Sequence, residues 1–218
     1  MAIKLEHVNY IYGADTELSV AALKDVNLSI EDGQFIGLIG HTGSGKSTLV
    51  QHLNGLLKAT SGAIYYNGKN IYDKDYNMKE LRSKVGLVFQ YPEHQLFEVD
   101  VLTDVCFGPK NQGLSKEECE KRAKEALELV GFPEELYLQS PFELSGGQKA
   151  KLFFLKMSME GSQVLVLDEP TRNFSPLSNP VIRNMLKEFP GAIISVSHDR
   201  KYLKEVCNVI YEFTEAGL

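Results

Sequence analysis

The sequence predicts one α/β domain that carries an inserted helical subdomain, and three observations support this fold class. The chain has 218 residues, which is enough to bury one substantial hydrophobic core. A continuous apolar run at 35–39, typical of a strand buried on both faces, leads into a glycine-rich loop and then a helical segment. From about residue 91 the pattern changes to helical spacing. We therefore expect the α/β core at 1–90 and 160–218, and the helical subdomain at about 91–159.

Apolar patterns predict strands in both parts of this core. The chain alternates between apolar and polar residues at 3–6 and again at 26–30, and strand and turn character returns over 60–90. Two further strands are expected at 164–168 and 193–197, where apolar residues run almost continuously. Continuous apolar runs indicate strands that are covered on both faces.

Two helices are predicted inside the helical subdomain. Ser115 and Glu118 have the spacing of a capping box, and Gly131 is placed to end the helix that they begin. This helix has an apolar stripe at helical spacing, formed by Ala123, Ala126, Leu127 and Val130. A second helix is expected to begin at Ser145 and to carry Leu152, Phe153, Leu155 and Met159.

Composition and charge restrict the class of protein. The formal net charge of −6 argues against a broad basic surface, so no nucleic-acid partner is expected. The three cysteines are odd in number and lack C-x-x-C spacing, which argues against structural disulfides and thiolate metal sites. The N-terminus has no apolar signal core, and the longest apolar runs are far shorter than the ~20 residues that span a bilayer. We expect a cytoplasmic protein.

The glycine-rich loop at 40–47 fits the pattern G-x-x-x-x-G-K-[ST] without a mismatch. Triphosphate oxygens need several backbone N–H donors at close range, which glycines and a helix N-terminus supply. Lys46 is expected to neutralise the β- and γ-phosphates, and the Ser47 hydroxyl to bind Mg²⁺. The alternative is an ordinary glycine turn before a helix. The candidate ATP-binding residues are Gly40, His41, Thr42, Gly43, Ser44, Gly45, Lys46, Ser47 and Thr48.

Two carboxylates, Asp168 and Glu169, follow the apolar run at 164–167. A carboxylate at the C-terminal end of a central strand lies beside bound phosphates in open α/β folds. Asp168 is expected to hold Mg²⁺, mostly through water, and Glu169 to polarise the attacking water. Taken alone, Asp-Glu-Pro after a strand is more often a capped turn. Its order relative to the other motifs favours the catalytic interpretation.

Between these two motifs lies Ser145-Gly146-Gly147-Gln148, which again places close-approach glycines at a predicted helix N-terminus, where phosphate binds well. With this order of motifs the chain resembles, over nearly its whole length, the ATPase modules of ATP-binding-cassette (ABC) proteins. The resemblance implies a P-loop NTPase fold with an ABC-type ATPase core, in which a mainly parallel sheet has an antiparallel β edge. It also implies head-to-tail pairing, as a homodimer or as a heterodimer with another ABC ATPase. In such a pair, each Ser-Gly-Gly-Gln signature closes on the γ-phosphate of the ATP held by the other module.

The resemblance implies roles for three further residues. Gln90 is similar to the Q-loop glutamine, which binds Mg²⁺ or water and senses the γ-phosphate. His198 is similar to the switch histidine, which contacts the γ-phosphate and supports Glu169. Tyr12 resembles the aromatic residue that stacks on adenine. Tyr10 is the rival for this role, and a plain strand aromatic with no such role is an equal alternative. The other histidines are interpreted as surface or loop residues: His7, His41, His52 and His94.

The two ends of the chain resemble different branches of the family. Residues 1 to about 144 resemble the ATPase subunits of energy-coupling-factor (ECF) transporters, through the stretches 53–57, 85–97 and 140–144. From about Lys149 the chain resembles the soluble ABC-F factors, through the stretches 148–152 and 197–203. An ECF ATPase is also expected to continue beyond residue 218. These differences suggest the hypothesis of a chimera with a junction at about 144–150.

The main functional hypothesis is an ATP-hydrolysing module that dimerises around two ATP and Mg²⁺ and powers a membrane transporter. Its partners would be transmembrane transporter subunits, which would hold it peripherally at the inner face of the cell membrane. Ser175 stands where the family has the D-loop Asp, which predicts weak cooperativity and turnover. One alternative is a chimeric or divergent domain that binds ATP but is not coupled to transport. A lesser alternative is an ABC-F-like soluble factor.

Overall fold

The computed structural model describes residues 2–14, 16–89, 95–159, 161–172, 176 and 179–214. The strands in this part of the chain are β1 (Ile3–Tyr12), β2 (Val20–Ile30), β3 (Phe35–Ile39), β4 (Ser61–Tyr66), β5 (Lys69–Asn70), β6 (Val85–Val88), β7 (Val164–Asp168), β8 (Ala192–Val196) and β9 (Val209–Glu212). The α-helices are α1 (Lys46–Leu53), α2 (Met78–Lys84), α3 (Val101–Asn111), α4 (Lys116–Leu129), α5 (Gly146–Met159), α6 (Asn179–Lys187) and α7 (Arg200–Val206).

The chain divides into two units by the packing of its Cα atoms. One unit contains Met1–Leu87, Gln163–Glu169 and Pro190–Leu218, and the other contains Val88–Ser162 and Pro170–Phe189. The sequence assigned all of 160–218 to the α/β core. In the structure α6 belongs to the second unit, because it packs against α5.

A five-stranded sheet in the first unit has the order β6-β7-β8-β3-β9. The pairs β7–β8, β8–β3 and β3–β9 are parallel, so their carboxyl ends lie at one edge. The predicted apolar runs explain why these strands are central: all five residues of β8 and the first four of β7 are buried. The prediction of an α/β fold with a mainly parallel sheet is confirmed.

The antiparallel strands of the same unit form a separate four-stranded sheet, with the order β2-β1-β4-β5, and do not extend the edge of the parallel sheet. The β1–β2 pairing contains several register shifts. Around them His7 N–H donates to Asn27 Oδ1, and Asp25 N–H donates to Asn9 Oδ1, both at 2.9 Å. These side chains replace ladder bonds that a bulge removes. The bulged β1 continues to Tyr12.

Helix α4 in the second unit lies where the capping residues predict it. Ser115 is the N-cap, and its Oγ accepts from the backbone N–H of Glu118 at 3.3 Å. The carboxylate of Glu118 instead pairs with Arg122 Nε at 2.8 Å, one turn later. Gly131, with φ of 63°, follows the end of the helix as predicted. The predicted stripe is largely correct, since Ala123 and Leu127 are buried and Ala126 and Val130 are half-buried.

Candidate nucleotide-binding site

The glycine-rich loop connects β3 to α1 at the carboxyl edge of the parallel sheet. Gly45 is the N-cap of α1 with φ of 101°, and Gly40 has φ of 147°. A Cβ atom at Gly45 would collide with the carbonyl oxygen of Ala22, and one at Gly40 with that of Phe213. Glycine is therefore required at both positions by conformation and by space. At these two glycines the loop lies directly against the backbone of Phe213 and Ala22.

Lys46 is the first residue of α1, and its ammonium group is folded back onto the loop. Nζ donates to the carbonyl oxygens of Gly40 at 2.8 Å and His41 at 2.7 Å, and to Ser44 Oγ at 3.1 Å. Burial lowers the pKa of Lys46, while the carboxylates of Glu169 and then Asp168 raise it. The arrangement places a buried cation at a helix N-terminus, which is a setting suited to an anion.

The corner after β7 brings Glu169 and His198 together. Glu169 has φ of 53°, an uncommon left-handed conformation for a non-glycine residue, and its N–H donates to Val196 O at 2.9 Å. The backbone N–H of His198 donates to Glu169 Oε2 at 3.4 Å, and His198 Nε2 lies 3.5 Å from Oε1. The carboxylate is thus oriented by both the main chain and the side chain of His198.

Four polar contacts fix the turn that carries His198. Asp199 caps α7 by accepting from the N–H groups of Lys201 and Tyr202, at 2.9 and 3.0 Å. The N–H of Asp199 donates to Ser197 Oγ at 3.1 Å. The Tyr202 hydroxyl lies 2.6 Å from Ser195 Oγ in a fully buried contact. Tyr202 and Ser195 were not predicted as supporting residues, since a contact between a strand and the following helix has no sequence motif.

Tyr12, at the end of β1, is 42% exposed, and its hydroxyl lies 3.1 Å from Thr48 Oγ1 on α1. Tyr10 is half-buried, and its ring packs edge-to-face against the rings of Tyr12 at 4.8 Å and His52 at 4.7 Å. The interpretation of His52 as a surface or loop residue is wrong, because it is fully buried on α1. No sequence motif links His52 to Tyr10, whose ring packs against it, so the sequence carried no signal for this contact. His7 and His41 are exposed as expected.

The Ser-Gly-Gly-Gln motif lies at the start of α5 in the second unit. Gln148 Oε1 accepts from the backbone N–H of Ser145 at 2.9 Å and from its hydroxyl at 2.8 Å, while Ser145 Oγ accepts from Gln148 N–H at 3.4 Å. This is a capping box. Gly146 and Gly147 are the first two residues of the helix. N–H groups at such positions have no acceptor inside a helix, so they can face an anion.

The residues that suit Mg²⁺ here are the Ser47 hydroxyl and the Asp168 carboxylate, since Mg²⁺ prefers oxygen ligands. The described ranges contain no group of three or more His, Cys, Asp or Glu side chains that could hold a metal by themselves. The donor set therefore fits an ion that takes its remaining ligands from water and phosphate oxygens. Gln90, His94 and the D-loop position Ser175 lie outside the described residues.

The ABC transporter family matches residues 23–172. The energy-coupling factor transporter ATP-binding protein EcfA2 of Caldanaerobacter subterraneus subsp. tengcongensis is 49% identical over 214 residues, which cover 96% of this chain and 75% of that protein. EcfA2 of Streptococcus pneumoniae is 44% identical over 223 residues, which cover 100% of this chain and 80% of that protein.

Solved structures agree with these matches. The structure of cbiO1 from Clostridium perfringens, part of the ABC transporter complex cbiONQ, has a TM-score of 0.83 and 35% identity, covering 99% of this chain and 85% of that chain. A dimeric structure of MJ0796, a bacterial ABC transporter cassette, has a TM-score of 0.82 and 28% identity, covering 98% and 95%. These similarities confirm the predicted ABC-type P-loop fold.

The matches give no support to the chimera hypothesis or to the ABC-F resemblance of the C-terminal third. A single EcfA2 relative aligns across both sides of the suggested junction at 144–150. The stretches that suggested a change of branch are short parts of two helices and a turn. In α5, for example, Lys151 Nζ donates to the carbonyl oxygen of Val130 at 3.2 Å. Such contacts depend on local packing, and they say little about ancestry.

A glycine-rich loop with a buried lysine, an Asp-Glu pair after a central parallel strand and a capped Ser-Gly-Gly-Gln helix have each been located in the structure. The family match covers more than half of the chain. The chain therefore belongs to the ABC transporter family, as an ATP-binding and ATP-hydrolysing module of that family.

Proposed function

We propose that this chain is the ATPase module of an ECF-type transporter, and that it pairs head to tail with a second ABC module around two ATP molecules. The observation that carries the proposal is the arrangement at one edge of the parallel sheet. There Lys46 is buried, donates hydrogen bonds to neutral acceptors and interacts electrostatically with the carboxylate of Glu169. His198 in turn orients that carboxylate. Few other activities need a preorganised phosphate loop and an oriented carboxylate together.

The phosphate-binding role falls to the loop at 40–48. The N–H groups of the loop and of the first turn of α1 would donate hydrogen bonds to the β- and γ-phosphates. The ammonium group of Lys46 would bind the same phosphates. The acceptors that Lys46 now uses are carbonyl and hydroxyl oxygens. Exchanging them for phosphate oxygens gives stronger, charge-assisted hydrogen bonds. Lys46 would therefore turn toward the nucleotide when it binds.

The hydrolytic role falls to Glu169, supported by His198. The carboxylate of Glu169 would accept a proton from the attacking water, and the two contacts from His198 would hold it in position. His198 would also contact the γ-phosphate, since its side chain is 57% exposed while that of Glu169 is 11% exposed. A magnesium ion, held by Ser47, Asp168 and Gln90, would neutralise charge on the phosphates.

Pairing of two modules is proposed from the signature motif. The capping box leaves Gly146 and Gly147 at the first turn of α5, where their N–H groups suit the γ-phosphate of the ATP bound by a partner module. The MJ0796 cassette, to which the chain is similar, has a dimeric structure. The partner is either a second copy or another ABC ATPase.

The transporter role is proposed from the relatives, which carry the name of energy-coupling factor transporter ATP-binding proteins. None of the helices in the described ranges combines the length and apolar character needed to cross a bilayer. We propose that transmembrane subunits hold the chain at the inner face of the cell membrane. The comparisons favour neither the uncoupled scaffold nor the ABC-F-like factor over this function.

The test is the Glu169→Gln variant, with Glu128→Gln on the exposed surface of α4 as the matched control. Turnover of Mg·ATP should fall by about 100-fold or more, because glutamine cannot accept the proton, while ATP affinity should change little. Size-exclusion chromatography of Glu169→Gln should show an ATP-dependent dimer. Full turnover in Glu169→Gln would refute the role given to this residue.

A further inference from the structure

Four side chains around α1 contact one another and are here called the Tyr12 cluster: Tyr10, Tyr12, Thr48 and His52. Their contacts form a closed ring. Tyr12 contacts Thr48 through its hydroxyl, and the carbonyl oxygen of Thr48 lies 2.7 Å from His52 Nδ1. The ring of His52 packs against Tyr10, which packs against Tyr12. The cluster thus joins the end of β1 to the helix that begins at Lys46.

His52 is an unexpected residue for this position. The contact with the Thr48 carbonyl places the proton on Nδ1, so Nε2 is a bare acceptor. Nε2 is buried and has no hydrogen-bond partner in the part of the chain that the structure describes. A buried polar atom without a partner costs stability, and leucine would avoid that cost. A leucine side chain at this position, however, has no ring edge to pack against Tyr10 and no N–H group to donate to the carbonyl oxygen of Thr48.

The same contacts separate the roles of the two tyrosines. Tyr10 is half-buried, packs against the core, and meets both neighbouring rings edge-to-face. Tyr12 is 42% exposed, so part of its ring surface is open to a ligand. The sequence left Tyr10 and Tyr12 as alternatives for the stacking residue. The exposure favours Tyr12 for the ligand and Tyr10 for its support.

We propose that His52 and Tyr10 are positioning residues that fix the Tyr12 ring for a purine base. They would set the affinity for the base part of the nucleotide and leave the affinity for the triphosphate unchanged. This inference rests on the proposed ATP-binding function and names the residues behind its base contact.

The physical reason is preorganisation. An exposed tyrosine ring loses rotational freedom when a base stacks on it, and this loss weakens binding. In the Tyr12 cluster the ring is already held at its hydroxyl by Thr48 and at its edge by Tyr10. Thr48 follows Ser47 on α1, so the position of the ring is set relative to the phosphate loop by a rigid helix.

The experiment compares the binding of Mg·ATP and of Mg·tripolyphosphate, which has no base, by isothermal titration calorimetry. His52→Leu should weaken Mg·ATP binding about five- to tenfold and change tripolyphosphate binding less than about twofold. His52→Phe keeps an aromatic edge for Tyr10 and should bind Mg·ATP within about twofold of the original chain. An equal loss for both ligands, or no loss for either, would overturn the proposal.

Two further variants keep the test decisive. If His52→Leu does not fold, Tyr10→Leu replaces it. This variant should also bind Mg·ATP more weakly and bind Mg·tripolyphosphate almost unchanged. Tyr12→Ala gives the reference loss for the base contact, about tenfold or more for Mg·ATP. If Tyr12→Ala binds Mg·ATP normally, the adenine contact that the family resemblance implies for Tyr12 is itself wrong. If the original chain does not bind Mg·ATP, the proposed function fails as a whole.

Discussion

Each of the two units buries a lysine at or in a helix, and the two lysines have different partners. Lys46, 7% exposed at the start of α1, donates to two carbonyl oxygens and one hydroxyl oxygen. Lys156, 3% exposed in α5, lies 2.9 Å from Asp104 Oδ1 on α3 and 2.9 Å from the carbonyl oxygen of Gln95. Its Nζ also lies 3.9 Å from the centre of the Phe97 ring.

The difference separates a binding cation from a structural one. The charge of Lys156 is compensated locally by a carboxylate, so it ties α3, α5 and the segment at Gln95 together. Lys46 has neutral hydrogen-bond partners that it can exchange for a stronger anionic one. A buried lysine is therefore informative about function only when its partners are known. Three predictions test this comparison.

The largest expected effect is on the stability that the buried Lys156–Asp104 ion pair provides. Asp104→Ala leaves the ammonium of Lys156 buried without its carboxylate, which should lower the free energy of unfolding by about 3–5 kcal/mol. Urea denaturation of the variant measures this loss. The double variant Asp104→Leu with Lys156→Met should recover most of it, because no unpaired charge remains. A loss below about 1 kcal/mol in Asp104→Ala would show that the pair contributes little.

The next effect concerns the binding lysine. Lys46→Met should reduce ATP turnover by about 10²–10³-fold, because a positive charge at the phosphates is lost. Calorimetric titration with Mg·ATP and a steady-state assay check binding and turnover. The double variant Asp104→Leu with Lys156→Met is the matched control, since it removes the buried lysine of the other unit and leaves no unpaired charge. Similar losses of ATP affinity in both variants would break the comparison.

The smallest effect is on the pH dependence of stability. Burial places the folded-state pKa of Lys46 below its ordinary value of 10.5. At a pH between the folded-state and unfolded-state pKa values, the unfolded chain binds more protons than the folded chain. The contribution of Lys46 to the free energy of unfolding therefore rises with pH and falls as pH is lowered. Lys46→Met should therefore melt higher than the original chain at pH 7, by a few degrees at most. The difference should shrink toward pH 10.

This last prediction has its own control. Lys124→Met removes an exposed lysine of α4, and its melting temperature should follow that of the original chain across the same pH range. Differential scanning calorimetry from pH 7 to pH 10 measures all three proteins. A constant difference between Lys46→Met and the original chain would contradict the assigned direction.

The residues whose positions the sequence predicted well lie in a contiguous motif with a strand beside it. The loop at 40–47 follows β3, Asp168 ends β7, and His198 follows β8. In each case a buried run fixes the strand, and the carboxyl edge of a parallel sheet then fixes where the motif lies. For these motifs the local sequence pattern and the sheet topology predict the same position, so that position depends little on tertiary packing.

The residues that the sequence missed depend on partners far away in the chain. His52 is buried because Tyr10 packs on it, and neither residue belongs to a motif that points to the other. The capping box at Ser115 forms only in part, because Arg122 competes for the Glu118 carboxylate. The antiparallel strands form a sheet of their own because β1 pairs with both β2 and β4, which alternation alone does not reveal.

The left-handed backbone of Glu169 has a practical consequence for preparing inactive samples. A side chain at φ of 53° stores strain that only glycine avoids at no cost. Replacement by glycine would relax that turn and raise stability while it removed the carboxylate, so two effects would be mixed in one measurement. Glutamine has the same backbone preference and nearly the same volume. Studies that need an inactive ATPase should therefore use Glu169→Gln. The stability of Glu169→Gly should be compared with it only to measure the backbone strain at this position.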